Sequence, residues 1–121
     1  MSDKPKTFSP NKVVDSKKFH KSRKYESSSW AEYRIKFISA NPRCYACGEP
    51  ARVVDHIVAH KDDEEKFWDV YNFLPLCKKD HDTVTALFDR HALPKTEEKL
   101  KWINDKRLIT NTSVRVKIVQ R

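Results

Sequence analysis

Asp55-His56, Asn72 and His81 are residues whose types could do chemistry together. Hydrolysis of a phosphodiester needs a neutral imidazole to take a proton from water. It also needs a carboxylate and a further ligand to hold a divalent cation against the phosphate and the leaving oxygen. A second set, Cys44-Tyr-Ala-Cys47 with Cys77, offers thiolates at metal-knuckle spacing. Taken singly, each has a plainer explanation. An isolated histidine is more often a surface or satisfied core residue than a ligand, and Asn72 alone would pass for a turn residue. The cysteines number three, and an odd count argues against a disulfide framework. A redox pair at Cys44 and Cys47 would need a surrounding βαβ pattern, which is absent, so metal is the better reading.

The elements that must position these residues can be read on either side of them. Ser29-Trp30-Ala31-Glu32 has the form of a capping box, and Trp30, Tyr33, Phe37 and Ile38 mark one helical face that Asn41-Pro42 ends. Gly48, the only glycine, supplies the turn of the knuckle. Residues 52–58 are β-branched and read as a strand, 59–71 as a polar loop with an acidic run, and Phe73-Leu74-Pro75-Leu76 as a second strand suited to an edge. A helix is predicted over 79–91, with His81, Val84, Phe88 and Ala92 near one stripe. Pro94 breaks it and Thr96 caps another. Val114, Val116 and Ile118 alternate with Arg115 and Lys117, which predicts a C-terminal strand with a basic outer face. One difficulty is visible at once. A regular strand points Asp55 and His56 to opposite faces, so both serve one site only if the strand twists, ends or bulges there.

At 121 residues the chain is one domain's worth, with a net charge of +8. Residues 1–25 carry eight Lys or Arg (Lys4, Lys6, Lys12, Lys17, Lys18, Lys21, Arg23, Lys24) against Asp3 and Asp15. Such a basic, apolar-poor arm is the footprint of polyanion binding, because each cation near a phosphate releases counterions. A solvated tail that aids solubility is the bland alternative. No eighteen-residue apolar run and no apolar leader segment is present, so a soluble protein that stays where it is made is expected.

The ordered set Cys44-Tyr-Ala-Cys47, Val54-Asp55-His56-Ile57-Val58-Ala59-His60, Phe67-Trp68-Asp69, Asn72 and Leu76-Cys77-Lys78-Lys79-Asp80-His81-Asp82 resembles the HNH endonucleases. It is most similar to the small phage-type branch, whose cysteine pairs flank a ββα-metal (His-Me finger) core. The resemblance covers roughly residues 28–90 and implies an α+β fold: a ββα-metal core with a zinc-knuckle-like cysteine cluster, flanking helices and a C-terminal strand. Composition makes residues 1–27 a basic, disordered, DNA-contacting arm, the resemblance makes 28–92 a nuclease domain, and the residue pattern makes 93–121 a helix-strand extension. The resemblance implies that His56 activates the attacking water, that Asp55 and His81 hold one Mg²⁺ or Mn²⁺, and that Asn72 secures the loop and helps orient the base. His60 would be a phosphate or substrate contact or else a bystander; Lys78, Lys79, Lys17, Lys18, Lys21, Arg23 and Lys24 would contact the substrate. The implied partner is double-stranded DNA in a bacterial cytoplasm, with 5′-phosphate and 3′-hydroxyl products. The setting would be genome packaging beside terminase or portal proteins, or homing, with no membrane involved.

The chain departs from the family pattern at Asp80, where a fourth cysteine is usual. Cys44, Cys47 and Cys77 then leave structural Zn²⁺ one thiolate short, with Asp80 either an oxygen ligand or the N-cap of the helix bearing His81. Two other function classes compete. A non-catalytic zinc-knuckle nucleic-acid binder would use the arm and the cysteines but leaves Asp55, His56, Asn72 and His81 unexplained. A zinc deaminase needs a His-x-Glu upstream of the cysteines, and His20 is followed by Lys21 and Ser22.

Overall fold

The computed structural model describes residues 27–121, and the arm residues Lys17, Lys18, Lys21, Arg23 and Lys24 lie outside them. The chain divides after Glu32 into two compact units. Of the first, residues 27–32 are described; they begin helix α1, Ser28–Ala40. Ser27 is its cap, accepting the Trp30 N–H at 3.2 Å, so the capping role falls upstream of Ser29, which lies inside the first turn.

The second unit is mixed α and β. A two-stranded antiparallel sheet pairs β1, Val53–His56, with β2, Phe73–Leu76, placing Val53 opposite Leu76, Val54 opposite Pro75, Asp55 opposite Leu74 and His56 opposite Phe73. Both strands fall inside the segments expected from their β-branched and apolar residues. Pro75 lacks an N–H but not an acceptor: its carbonyl takes the Tyr45 N–H at 2.8 Å, tying β2 to the knuckle. The knuckle turns on Gly48 at φ +80, whose N–H reaches the Cys44 carbonyl at 2.8 Å. An L side chain is strained at that φ.

Between the strands the expected polar loop holds two short helices. Asp63 accepts from Glu65 and Lys66 and caps α2, Glu64–Trp68; Asp69 accepts from Tyr71 and caps a 3₁₀ turn, Val70–Asn72. The acidic run is thus a cap and the first turn of a helix, where negative charge meets free N–H groups. After β2, helix α3, Lys78–Val84, widens into a π-helical turn, Thr85–Asp89. Ala92, expected on its stripe, lies beyond that turn and is exposed. Helix α4 runs Thr96–Ile109; Lys95 is its cap position and makes no side-chain cap bond, so Thr96 is the first helical residue rather than the cap.

Cys44, Ala46, Leu74, Leu76, Val84 and Ile103 form the core cluster, so α4 shares a core with the knuckle, β2 and α3. The expected C-terminal strand is absent. Residues 112–121 run without a ladder partner, because the Asn41 side chain takes the place of a strand: Oδ1 accepts from Lys117 N at 2.7 Å and Nδ2 donates to Lys117 O at 3.0 Å. Val114 and Val116 are half-buried and Arg115 and Lys117 exposed, as alternation predicts, but Ile118 is exposed as well.

Candidate metal cluster and catalytic site

Cys44, Cys47, Cys77 and Asp80 offer one ligand atom each, all within 4.8 Å of one another, close enough to hold a metal ion. The knuckle turn supplies the first two, and the β2–α3 junction the others. A tetrahedral ion about 2.3 Å from sulfur and about 2.0 Å from oxygen sets its ligands about 3.8 Å (S to S) and about 3.5 Å (S to O) apart. Cys47 Sγ and Cys77 Sγ are 3.8 Å apart, and Cys44 Sγ and Asp80 Oδ2 3.4 Å. Burial pushes the Cys47 and Cys77 thiols above their ordinary pKa, so ion binding must displace thiol protons.

The N-cap reading of Asp80 does not hold. Cys77 is the N-cap of α3, its Sγ accepting the Asp80 N–H at 3.4 Å, and the Asp80 side chain turns inward at 1% exposure. Its other oxygen, Oδ1, accepts from Lys106 of α4. Burial pushes the Asp80 carboxyl up, but Lys106 and the three surrounding thiols more than offset this and hold it below the usual carboxylate value.

One residue along α3 from Asp80, His81 Nε2 stands 3.7 Å from Asp55 Oδ1. Two adjacent ligands of an octahedral Mg²⁺ at about 2.1 Å would be about 3 Å apart. One carboxylate and one imidazole therefore need only a small approach to share such an ion. Asp55 is 2% exposed and its Oδ2 lies 2.8 Å from the ammonium of Lys99. Burial pushes the Asp55 carboxyl above its ordinary value, against the opposing pull of Lys99 and His81. His81 is more open; its Nδ1 meets Asp82 Oδ1 at 3.3 Å, and its Nε2 lies 3.5 Å from Thr85 Oγ1.

His56 is the last residue of β1. Its ring lies among Phe73, Phe67 and His60, at centroid distances of 5.3, 5.1 and 4.8 Å. Burial, and next the neighbouring His60, lowers its pKa from 6.5 to about 3, so the ring is neutral. Nε2 lies 3.1 Å from the Phe67 carbonyl. A carbonyl only accepts, so Nε2 carries the proton and Nδ1 the lone pair. His60 is itself buried, its Nδ1 accepting from Asp62 N at 3.3 Å, and it packs as a wall of the His56 pocket rather than as a surface contact. Asn72 ties the connection together: Oδ1 accepts from Val58 N at 2.9 Å, and Nδ2 donates to the carbonyls of Val58 at 3.0 Å and Lys66 at 3.2 Å.

The fold therefore joins Asp55 with His81, His56 with His60, and the three cysteines with Asp80, while Asn72 braces the backbone under His56. Lys78 and Lys79 are exposed on the first turn of α3, Lys78 paired with Asp82 at 2.8 Å. Sequence reasoning misses Lys99. Its signal is its place one turn before Ile103, on the buried stripe of α4. The chain matches no family model, no curated protein and no solved structure.

Proposed function

We propose that this protein is a metal-dependent DNA endonuclease of the HNH type, with β1, β2 and α3 as its ββα-metal core. The observation that carries the reading is the 3.7 Å approach of Asp55 Oδ1 to His81 Nε2, with the neutral imidazole of His56, next to Asp55 in β1, in the tautomer that keeps its lone pair on Nδ1. His56 takes a proton from the attacking water at Nδ1. Asp55 and His81 would hold a Mg²⁺ or Mn²⁺ ion, which supplies positive charge to the phosphate and the leaving oxygen when bound. Asn72 acts through the backbone, holding Lys66 and so the Phe67 carbonyl that orients His56. Lys78, Lys79 and the basic residues of the arm bind phosphates. The Cys₃Asp cluster takes Zn²⁺, borderline in softness and suited to mixed sulfur and oxygen ligands, as a structural ion.

The substrate is double-stranded DNA, and the setting proposed from the resemblance is phage genome packaging or homing in a bacterial cytoplasm. In the first case terminase or portal proteins would be partners. Among the described residues no helix is long and apolar enough to cross a membrane.

The test is incubation of the zinc-supplied, full-length protein with supercoiled plasmid and Mg²⁺ or Mn²⁺. Nicked or linear DNA with 5′-phosphate and 3′-hydroxyl ends is expected. His56→Ala and His81→Ala should remain folded, bind DNA nearly as tightly, and not cleave. DNA binding without cleavage by the wild type in any divalent ion would reject the enzyme in favour of a non-catalytic zinc-knuckle binder.

A further inference from the structure

Lysine is among the residues least often fully buried, and an ammonium taken out of water needs close partners. Lys99, 0% exposed on α4, has three: the His56 carbonyl at 2.6 Å, Asp89 Oδ2 at 2.9 Å and Asp55 Oδ2 at 2.8 Å. The first two are aligned hydrogen bonds; Asp55 Oδ2 is held by charge, no hydrogen bond of good angle reaching it. A methionine or leucine would fill this volume without desolvating a charge. The ammonium instead touches the carboxylate of Asp55 and the peptide of His56, adjacent residues of the proposed site.

We infer that Lys99 is a positioning residue which, by occupying Asp55 Oδ2, restricts that carboxylate to one-oxygen coordination and biases the site toward small divalent ions. The inference rests on the nuclease reading above. Two cations on one carboxylate oxygen repel, so an arriving ion is directed to Oδ1, the oxygen that faces His81. A carboxylate with one oxygen occupied in this way cannot chelate with both. Mg²⁺ is content with single oxygens and retained waters in a tight octahedron. Ca²⁺ has a larger, more flexible shell that readily takes both oxygens of a carboxylate. Lys99 also pins the last peptide of β1 through the His56 carbonyl, so the same ammonium sets the Asp55 carboxylate and the backbone that carries the base.

The experiment is Mn²⁺ binding to the full-length, zinc-supplied protein, followed by electron spin resonance and by displacement with Mg²⁺ or Ca²⁺ alone. Wild-type Mn²⁺ binding that His81→Ala does not weaken would overturn the nuclease reading, and this inference with it. If His81 is required, Lys99→Met is expected to raise the affinity for Ca²⁺ relative to Mg²⁺ by roughly tenfold, the scale of one charged contact. Lys99→Arg, which keeps the cation, should hold the ratio near that of the wild type. A folded Lys99→Met protein with an unchanged ratio would overturn the inference alone. Should Lys99→Met fail to fold, the charge-balanced pair Lys99→Met with Asp89→Asn is read in the same way. Failure of both to fold even in excess Mg²⁺ would assign Lys99 to the core and overturn the positioning role.

Discussion

His56 Nε2 donates to the Phe67 carbonyl across 3.1 Å, and this bond joins the last residue of β1 to helix α2. It selects the tautomer, and the surrounding rings keep the imidazole neutral. The folded-state pKa of about 3 lies below the ordinary 6.5, so between those values the unfolded chain binds the extra proton. The stability from burying neutral His56 is therefore complete above about pH 6.5 and is lost as pH falls toward 3. Denaturant unfolding of the wild type against His56→Gln from about pH 7 to about pH 4 should show the difference, with a slope of up to about 1.4 kcal/mol per pH unit. Parallel curves would mean that His56 titrates alike in both states.

Asn72 uses its amide on the backbone of Val58 and Lys66, so Asn72→Ala should act through position rather than binding. The groups it leaves unpaired are expected to cost ~1–3 kcal/mol. Under the proposed function, kcat should fall well beyond any rise in KM, because the His56 support loosens while phosphate binding remains. Equal damage to both would place Asn72 at the substrate.

The Cys₃Asp cluster predicts one tightly held zinc per chain by elemental analysis. Strong chelation should lower the melting temperature, whereas mild chelation should stop cleavage without unfolding. Asp80→Ala is expected to lose the zinc and at least ~2 kcal/mol, since Lys106 loses its buried partner too. Asp80→Cys restores a fourth ligand and should retain zinc. Zinc content unaffected by Asp80→Ala would remove Asp80 from the ligand set.

Deleting residues 1–25 removes eight cationic side chains. DNA binding should weaken most at low salt, and the slope of log affinity against log salt should flatten by roughly 0.9 for each phosphate that is no longer neutralised. Cleavage under saturating DNA should be unchanged, because Asp55, His56 and His81 stay in place. An unchanged slope would move phosphate binding to Arg115, Lys117, Lys78 and Lys79.

Much of this arrangement is readable locally. The helix ending at Asn41-Pro42, the Gly48 turn, two short strands and the Cys44-x-x-Cys47 spacing each depend on neighbouring residues, where backbone sterics and side-chain period decide. The short helices after Asp63 and Asp69 are equally local, and the acidic run passes for loop only when its capping value is left out. Other features need the folded chain. Asp80 can cap or ligate until Cys77 takes the cap and Lys106 comes to its far oxygen. The alternation of Val114 and Val116 predicts a strand, but a ladder requires a partner backbone, and Asn41 meets those groups with a side chain. The meeting of Asp55 with His81 depends on the β1–β2 register and on how α3 leaves β2. Lys99 depends on α4 docking, since a lysine on a helix reads as solvent-facing until a distant carboxylate and carbonyl give its charge a buried place.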